Sequence, residues 1–172
     1  MEKICKFYAP EEYNFEALEK SYFWFSNPRN LNDPFDCNYD AFESSKALQL
    51  LSSEEKESLS SFNNSVGICS FTKSFENQHF WALYADTYKG FCLVFNADMV
   101  KRKFSSSGIL IDNVEYISRD EFDFDKIFAA ENRNVQINVA LDRTLRKSVF
   151  LKNKEFWRHE EEIRGFLGEV PM

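Results

Sequence analysis

The order of apolar patterns predicts an α+β chain, with a mixed or antiparallel sheet of about six strands and helices packed on it. Three observations lead there. Short runs rich in aromatic and aliphatic residues recur from ICKFY at 4–8 to IRGFL at 163–167. Helical patterns fall between only some of these runs, so the strict alternation of a doubly wound parallel sheet is absent. Residues 120–152 contain neither Gly nor Pro, and Ile137, Leu141, Leu145 and Val149 recur every four residues. The chain has 172 residues, 44% hydrophobic and 17% aromatic with 19 Phe, which suits a single domain over 1–172 with a ring-packed core.

Each element follows from local signals. ICKFY alternates apolar and polar residues and reads as the first strand, stopped by Pro10. PEEYNFEALEKS has the start signal and spacing of a short helix, with Tyr13, Ala17 and Leu18 on one face. YFWFS at 22–26 reads as an aromatic strand. NPRNLNDPFD holds two prolines and three asparagines and reads as an ordered loop. Residues 40–62 read as helical, with a capping box in SSEE: Ser52 caps and Glu55 reaches back. VGICSF at 66–71 is a strand, and ENQHFWALYADTY contains a helix with Phe80, Leu83 and Tyr84 on one face. KGFCLVF at 89–95 is almost unbroken apolar sequence, which suits a central strand. A short helix or turn at 99–104, a strand at 109–117, one long helix or two in tandem over 120–152, and a last strand over 163–167 complete the order. Gly165 is out of place in that last strand.

The net charge of −7, from 21 basic and 28 acidic residues, disfavours broad phosphate binding while leaving room for a small basic pocket. With 5 Gly, neither Gly-x-Gly-x-x-Gly nor a Walker pattern occurs. Cys5, Cys69 and Cys92 sit in apolar runs and read as small buried hydrophobes. No Cys-x-x-Cys pair occurs, and neither His79 nor His159 lies at a ligand spacing, so no metal site is expected. MEKICKFYAP lacks the apolar stretch of a signal peptide, and no apolar run approaches the roughly 20 residues that span a bilayer. The expected address is the cytoplasm, with no membrane partner.

FWRHEEEIRGF, residues 156–166, is the strongest chemical candidate. Three adjacent glutamates repel one another, yet they stand where the chain is about to enter the core. As a strand entry, alternation puts Glu160, Glu162 and Arg164 on one face and Glu161, Ile163 and Leu167 on the other. Two carboxylates and a guanidinium in one row can hold a hydroxyl or a cationic centre and clamp a phosphate, with Trp157 as a stacking face. Ordinary solvated pairs are the bland alternative. NLNDPFD at 30–36 reads as a turn in which Asn32 and Asp33 bond their own backbone, and it can rim a pocket. Trp81 and Tyr84 read first as packing residues, and His79 as a structural histidine. A carboxylate metal site from Asp33, Asp36, Glu160 and Glu162 is the remaining alternative.

LNDPFD at 31–36, FWALYADTYKGFCLVF at 80–95, and K-x-x-x-x-W-x-x-E-x-E-x-R from Lys152 to Arg164 stand in order. Together they resemble the bacterial domain-of-unknown-function family 2971, nearly end to end. The layout of that family is similar to the ADP-ribosyltransferase fold. This resemblance implies an enzyme that uses NAD as substrate, with a protein or nucleic-acid acceptor, in anti-phage defence or toxin-type conflict. It implies Glu162 as first catalytic carboxylate, Glu160 as second, and Arg164 as their orienting or phosphate-holding partner. Lys6 and Tyr8 of the first strand, Ser26 of the second, Asn32 and Asp33 of the loop, and Trp81, Tyr84 and Trp157 as stacking groups are the implied cofactor contacts. The alternative is a non-enzymatic nucleotide- or partner-binding module in which Glu-x-Glu-x-Arg is a structural network.

Overall fold

The computed structural model describes residues 2–31, 33, 46–49, 51–57, 65–118, 121, 123–132 and 137–168. These form two compact units. The first comprises Met1–Ser26, Ile68–Val114 and His159–Leu167, and the second Asn27–Gly67, Glu115–Arg158 and Gly168–Met172.

The first unit carries a five-stranded sheet. Its strands are β1 (Lys3–Tyr8), β2 (Gly67–Thr72), β3 (Phe91–Asn96), β4 (Leu110–Asn113) and β7 (Glu162–Leu167), in the order β3-β1-β2-β7-β4. β1 runs antiparallel to β3, from Lys3 opposite Asn96 to Tyr8 opposite Phe91, and antiparallel to β2, with Cys5 opposite Thr72. β4 is antiparallel to β7, with Asp112 opposite Arg164.

Helix α4 (Ala97–Ser106) covers one sheet face, packing Ala97, Val100 and Phe104 on Ile4, Cys69, Phe71 and Ile163. Asn96 caps this helix by accepting the Met99 amide. Helix α3 (Gln78–Leu83) lies on the other face, where Phe80 joins Cys5, Phe7 and Ala85. Gly165 now has its reason: a Cβ there meets the Phe104 ring at 2.5 Å, so only glycine lets α4 seat on β7. Gly90 likewise leads into β3 because a Cβ there meets the Tyr8 carbonyl oxygen at 2.0 Å.

Several expectations change. β3 is an edge strand rather than a central one, and Val94 is 48% exposed. Its apolar run is covered by rings instead of by strands on both sides: Phe91 stacks on Tyr8 at 5.1 Å and on Phe15 at 5.3 Å, and Phe95 packs on Phe23 at 5.1 Å. Residues 22–26 pair only at Ser26, which exchanges backbone bonds with Ile68 at 2.9 and 2.8 Å. The alternation is still visible there, because Phe23 and Phe25 turn to the core and Trp24 to solvent. Helix α1 (Glu12–Glu19) buries Ala17 but leaves Tyr13 and Leu18 exposed. The expected strand at 109–117 breaks at Val114, and its second half, β5 (Glu115–Ile117), belongs to a different sheet.

In the second unit, β5 pairs in parallel with β6 (Leu151–Asn153). The Gly- and Pro-free stretch forms two helices, α5 (Phe124–Glu131) and α6 (Ile137–Val149), packed on each other. Asp123 caps α5 by accepting the Lys126 amide. Phe124 and Phe128 of α5 and Ala140, Leu145 and Val149 of α6 are buried, so the second half of the four-residue repeat, Leu145 and Val149, lies in the core. Helix α2 (Lys46–Gln49) and helical residues 53–57 are the described parts of the expected helix over 40–62; the remainder lies outside the described residues. A final turn, α7 (Lys154–Trp157), is capped by Asn153, which accepts the Glu155 amide at 2.8 Å. The sequence reading missed β6 and α7, because a three-residue strand and a four-residue helix are too short to show a period. The whole is α+β, with seven strands among the described residues where about six were expected.

The capping box forms as read. The Ser52 amide donates to Glu55 Oε2 at 2.7 Å, and the Glu55 amide donates to Ser52 Oγ at 3.2 Å. The Ser52 amide and hydroxyl hold the Glu55 carboxyl below its ordinary range. A carboxylate whose folded pKa is depressed contributes stability above its unfolded value, about 4.3 for Glu, and the contribution is lost as pH falls through the folded value. The protection factor of the Ser52 amide, its exchange rate relative to the unstructured chain at the same pH, is therefore expected to fall on acidification through that window. Glu55→Gln should flatten the dependence; an unchanged profile in the variant would count against the box.

Candidate functional site

The acidic row is built differently from a strand entry. After α7 the chain makes a 3-10 turn over Arg158–Glu160, and β7 begins only at Glu162. Between them Glu161 adopts φ 45°, the left-handed region that a non-glycine residue enters at a cost. That residue turns the chain into the sheet, and its side chain is exposed. Glu160 is thus delivered by a turn and Glu162 by a strand. Both are nevertheless buried, at 2% and 4% exposure, beside Arg164 at 1%.

Within β7 Ile163 packs into the α4-side core and Gly165 meets Phe104. By alternation Glu162 and Arg164 project onto the opposite face, the one that carries α3. There Arg164 Nε donates to Glu162 Oε1 at 2.7 Å and Nη2 donates to Oε2 at 2.9 Å. This is a bidentate fork between neighbours on one strand face. Glu160 is held from two sides: the Tyr84 hydroxyl donates to its Oε1 at 2.8 Å, and Thr72 Oγ1 donates to its carbonyl oxygen at 2.7 Å. Thr72 stands on β2 opposite Cys5, and Tyr84 caps the end of α3. The first unit therefore gathers Glu160, Glu162, Arg164 and Tyr84, four of the residues named from sequence, and adds Thr72.

Other named residues go elsewhere. Lys6 and Tyr8 share the parity of Ile4 and project onto the α4 face, away from Glu162 and Arg164. Lys6 Nζ donates to the Ser70 carbonyl at 3.1 Å and lies 5.5 Å from the Phe71 ring centroid and 5.7 Å from that of Tyr8. Burial pushes the Tyr8 phenol up from its ordinary value. Ser26 is held by its backbone in the bridge to Ile68. Trp81 packs edge-on against Phe7 at 5.0 Å and donates its indole N–H to the Phe75 carbonyl at 2.7 Å, the packing role its sequence context suggests. Trp157 and Asp33 belong to the second unit. There the Lys152 ammonium sits 4.6 Å from the Trp157 ring centroid, and Asp33 is buried. Asn32, with Asp36 and the rest of the expected turn after Asp33, lies outside the described residues.

Cys5 and Cys69 are buried, as their apolar runs suggest, and Cys92 is half-buried. Burial pushes Cys5 and Cys69 up, the latter against the Lys6 ammonium beside it, and burial together with the neighbouring Cys5 pushes Cys92 up to about 12. Sequence spacing gave the two histidines no shared role, and the fold brings them together. His79 at the start of α3 and His159 in the 3-10 turn bring their rings to 4.9 Å between centroids. Nothing in a separation of 80 positions signals this meeting. Among the described residues no group of three or more His, Cys, Asp or Glu is arranged to hold a metal ion, and no helix is long and apolar enough to cross a membrane.

A five-stranded antiparallel-paired sheet flanked by helices, with a buried carboxylate–guanidinium network on one face, defines a small α+β protein. The family described as Protein of unknown function (DUF2971) matches residues 80–165, half of the chain, and this protein belongs to it. The match takes in the FWALYADTYKGFCLVF block and the closing Trp-x-x-Glu-x-Glu-x-Arg, hence Tyr84, Glu160, Glu162 and Arg164 together. No curated protein and no solved structure matches the chain.

Proposed function

We propose that this protein is a non-enzymatic binding module for a protein partner, in which Glu160, Glu162 and Arg164 are scaffold. The observation that carries this reading is the bidentate fork of Arg164 on Glu162, with both side chains buried. A carboxylate that stabilises an oxocarbenium-like ribose has to face the substrate. Glu162 instead spends both oxygens on a neighbour in its own strand. A protein partner is favoured over a nucleotide by the surface: Tyr13, Phe15, Leu18, Tyr22 and Trp24 are all exposed along one short run of an acidic chain. Neither a phosphate loop nor a basic stripe accompanies them.

The second reading is an ADP-ribosyltransferase-like enzyme consuming NAD. One contact favours it: Tyr84 and Glu160, one implied stacking group and one implied catalytic carboxylate, meet at 2.8 Å from positions 76 apart. Incubation with NAD, following free nicotinamide by chromatography with Glu162→Gln alongside, separates the two. The scaffold reading expects no nicotinamide from either protein and a lowered melting temperature in the variant. Nicotinamide release by the parent chain, lost in a variant that keeps its melting temperature, would overturn it.

A further inference from the structure

We infer that His79 and His159 form a two-histidine site for a late first-row divalent transition-metal ion of the nickel, copper and zinc class. They are the 2 histidines of the chain, and the fold brings them together. Both are exposed, so an ion reaches them without opening the core.

One side chain fixes the pair. Asn77 caps α3, accepting the His79 amide on Oδ1 at 3.0 Å, while its Nδ2 donates to the His159 carbonyl at 2.8 Å. The backbones of both histidines are thereby tied to a single residue, which reduces the ordering that chelation has to supply. The spacing fits the chemistry. With metal–nitrogen bonds of about 2.0–2.1 Å, an imidazole centroid stands roughly 3.2 Å from the ion, so two rings at a tetrahedral angle lie about 5 Å apart. The observed separation is 4.9 Å, with the ring planes tilted by 53°. Imidazole nitrogens suit nickel, copper and zinc, and two protein ligands leave the remaining positions to water.

The probe is Ni²⁺ alone, titrated calorimetrically into the untagged full chain at about pH 7.5. One ion per chain is expected, and His79→Ala and His159→Ala should each weaken binding at least about tenfold. Both positions are exposed, so the melting temperature of either variant without metal should match the parent's. Asn77→Ala should weaken binding less, by releasing the pair from its common anchor. The inference is overturned if no saturable binding appears below about 1 mM, if both histidine variants bind as the parent does, or if only one of them matters. A site built on the cysteines would survive both substitutions and count as the second of these failures.

Discussion

Arg164→Ala is expected to destabilise the protein by about 3–5 kcal/mol, because it takes the bidentate partner from a buried carboxylate. The guanidinium is 1% exposed and gives Glu162 two hydrogen bonds, at 2.7 and 2.9 Å. Removing it leaves Glu162 in the same dry sheet face without that fork. The charge must then be protonated or drag water into the core, and both routes cost stability. Arg164→Lys should recover only part of the loss, since an ammonium supplies the charge without the planar fork. Glu162→Gln with Arg164→Ala should cost less than the sum of the single changes, the mark of a shared interaction. Urea unfolding of the four variants measures this. A loss under about 1 kcal/mol for Arg164→Ala, in the range of an exposed pair, would show that Glu162 is solvated and reopen it to substrate.

Phe71→Ala is expected to cost about 3–5 kcal/mol by the same measurement. Its ring is buried, and it meets Phe23 at 5.3 Å, Phe104 at 6.0 Å and Phe95 at 6.3 Å. These rings come from β2, β3, α4 and the segment before Ser26, so the ring of Phe71 joins most layers of the first unit. Alanine leaves a void that several large rings surround, and stiff rings close a void poorly. Lys6 loses one of its two aromatic neighbours at the same time. Phe71→Leu should be markedly milder, because most of the volume stays. Equal losses for Leu and Ala would mean that ring stacking, rather than filled volume, sets the cost.

Much of the element order was legible because it rests on short-range physics. β1, β2, α1 and the Ser52–Glu55 box follow from short apolar runs, helical spacing and capping chemistry, whereas the signal at 99–104 left α4 as a short helix or turn. The role of Trp81 as a packing residue followed from its apolar surroundings. The rank of a strand within the sheet did not. KGFCLVF reads as central because apolar on both faces usually means covered by strands on both sides, yet rings cover β3 and leave it at the edge. The break at Val114 was hidden for a similar reason. A bend that passes a strand from one sheet to another needs no Gly or Pro when its amides find partners: Val114 N–H donates to the Glu162 carbonyl and Glu115 N–H to the Phe150 carbonyl.

The candidate site divides in the same way. Sequence by itself put Glu160, Glu162 and Arg164 in one row facing a cleft, with Glu161 on the face of Ile163; the structure buries the row and leaves Glu161 exposed while Ile163 is in the core. Sequence placed Glu160 by strand alternation, whereas a 3-10 turn and a left-handed Glu161 do the placing. Only the tertiary structure decided that Arg164 grips Glu162, that Tyr84 and Thr72 hold Glu160, that Lys6 and Tyr8 take the opposite sheet face, and that His79 meets His159. The physical reason is range. Propensity, period and capping act over a few residues and leave their mark in the local sequence. A hydrogen bond or ring contact between positions 76 or 80 apart depends on strand order and on which face each strand turns to its neighbour, and no local pattern records that.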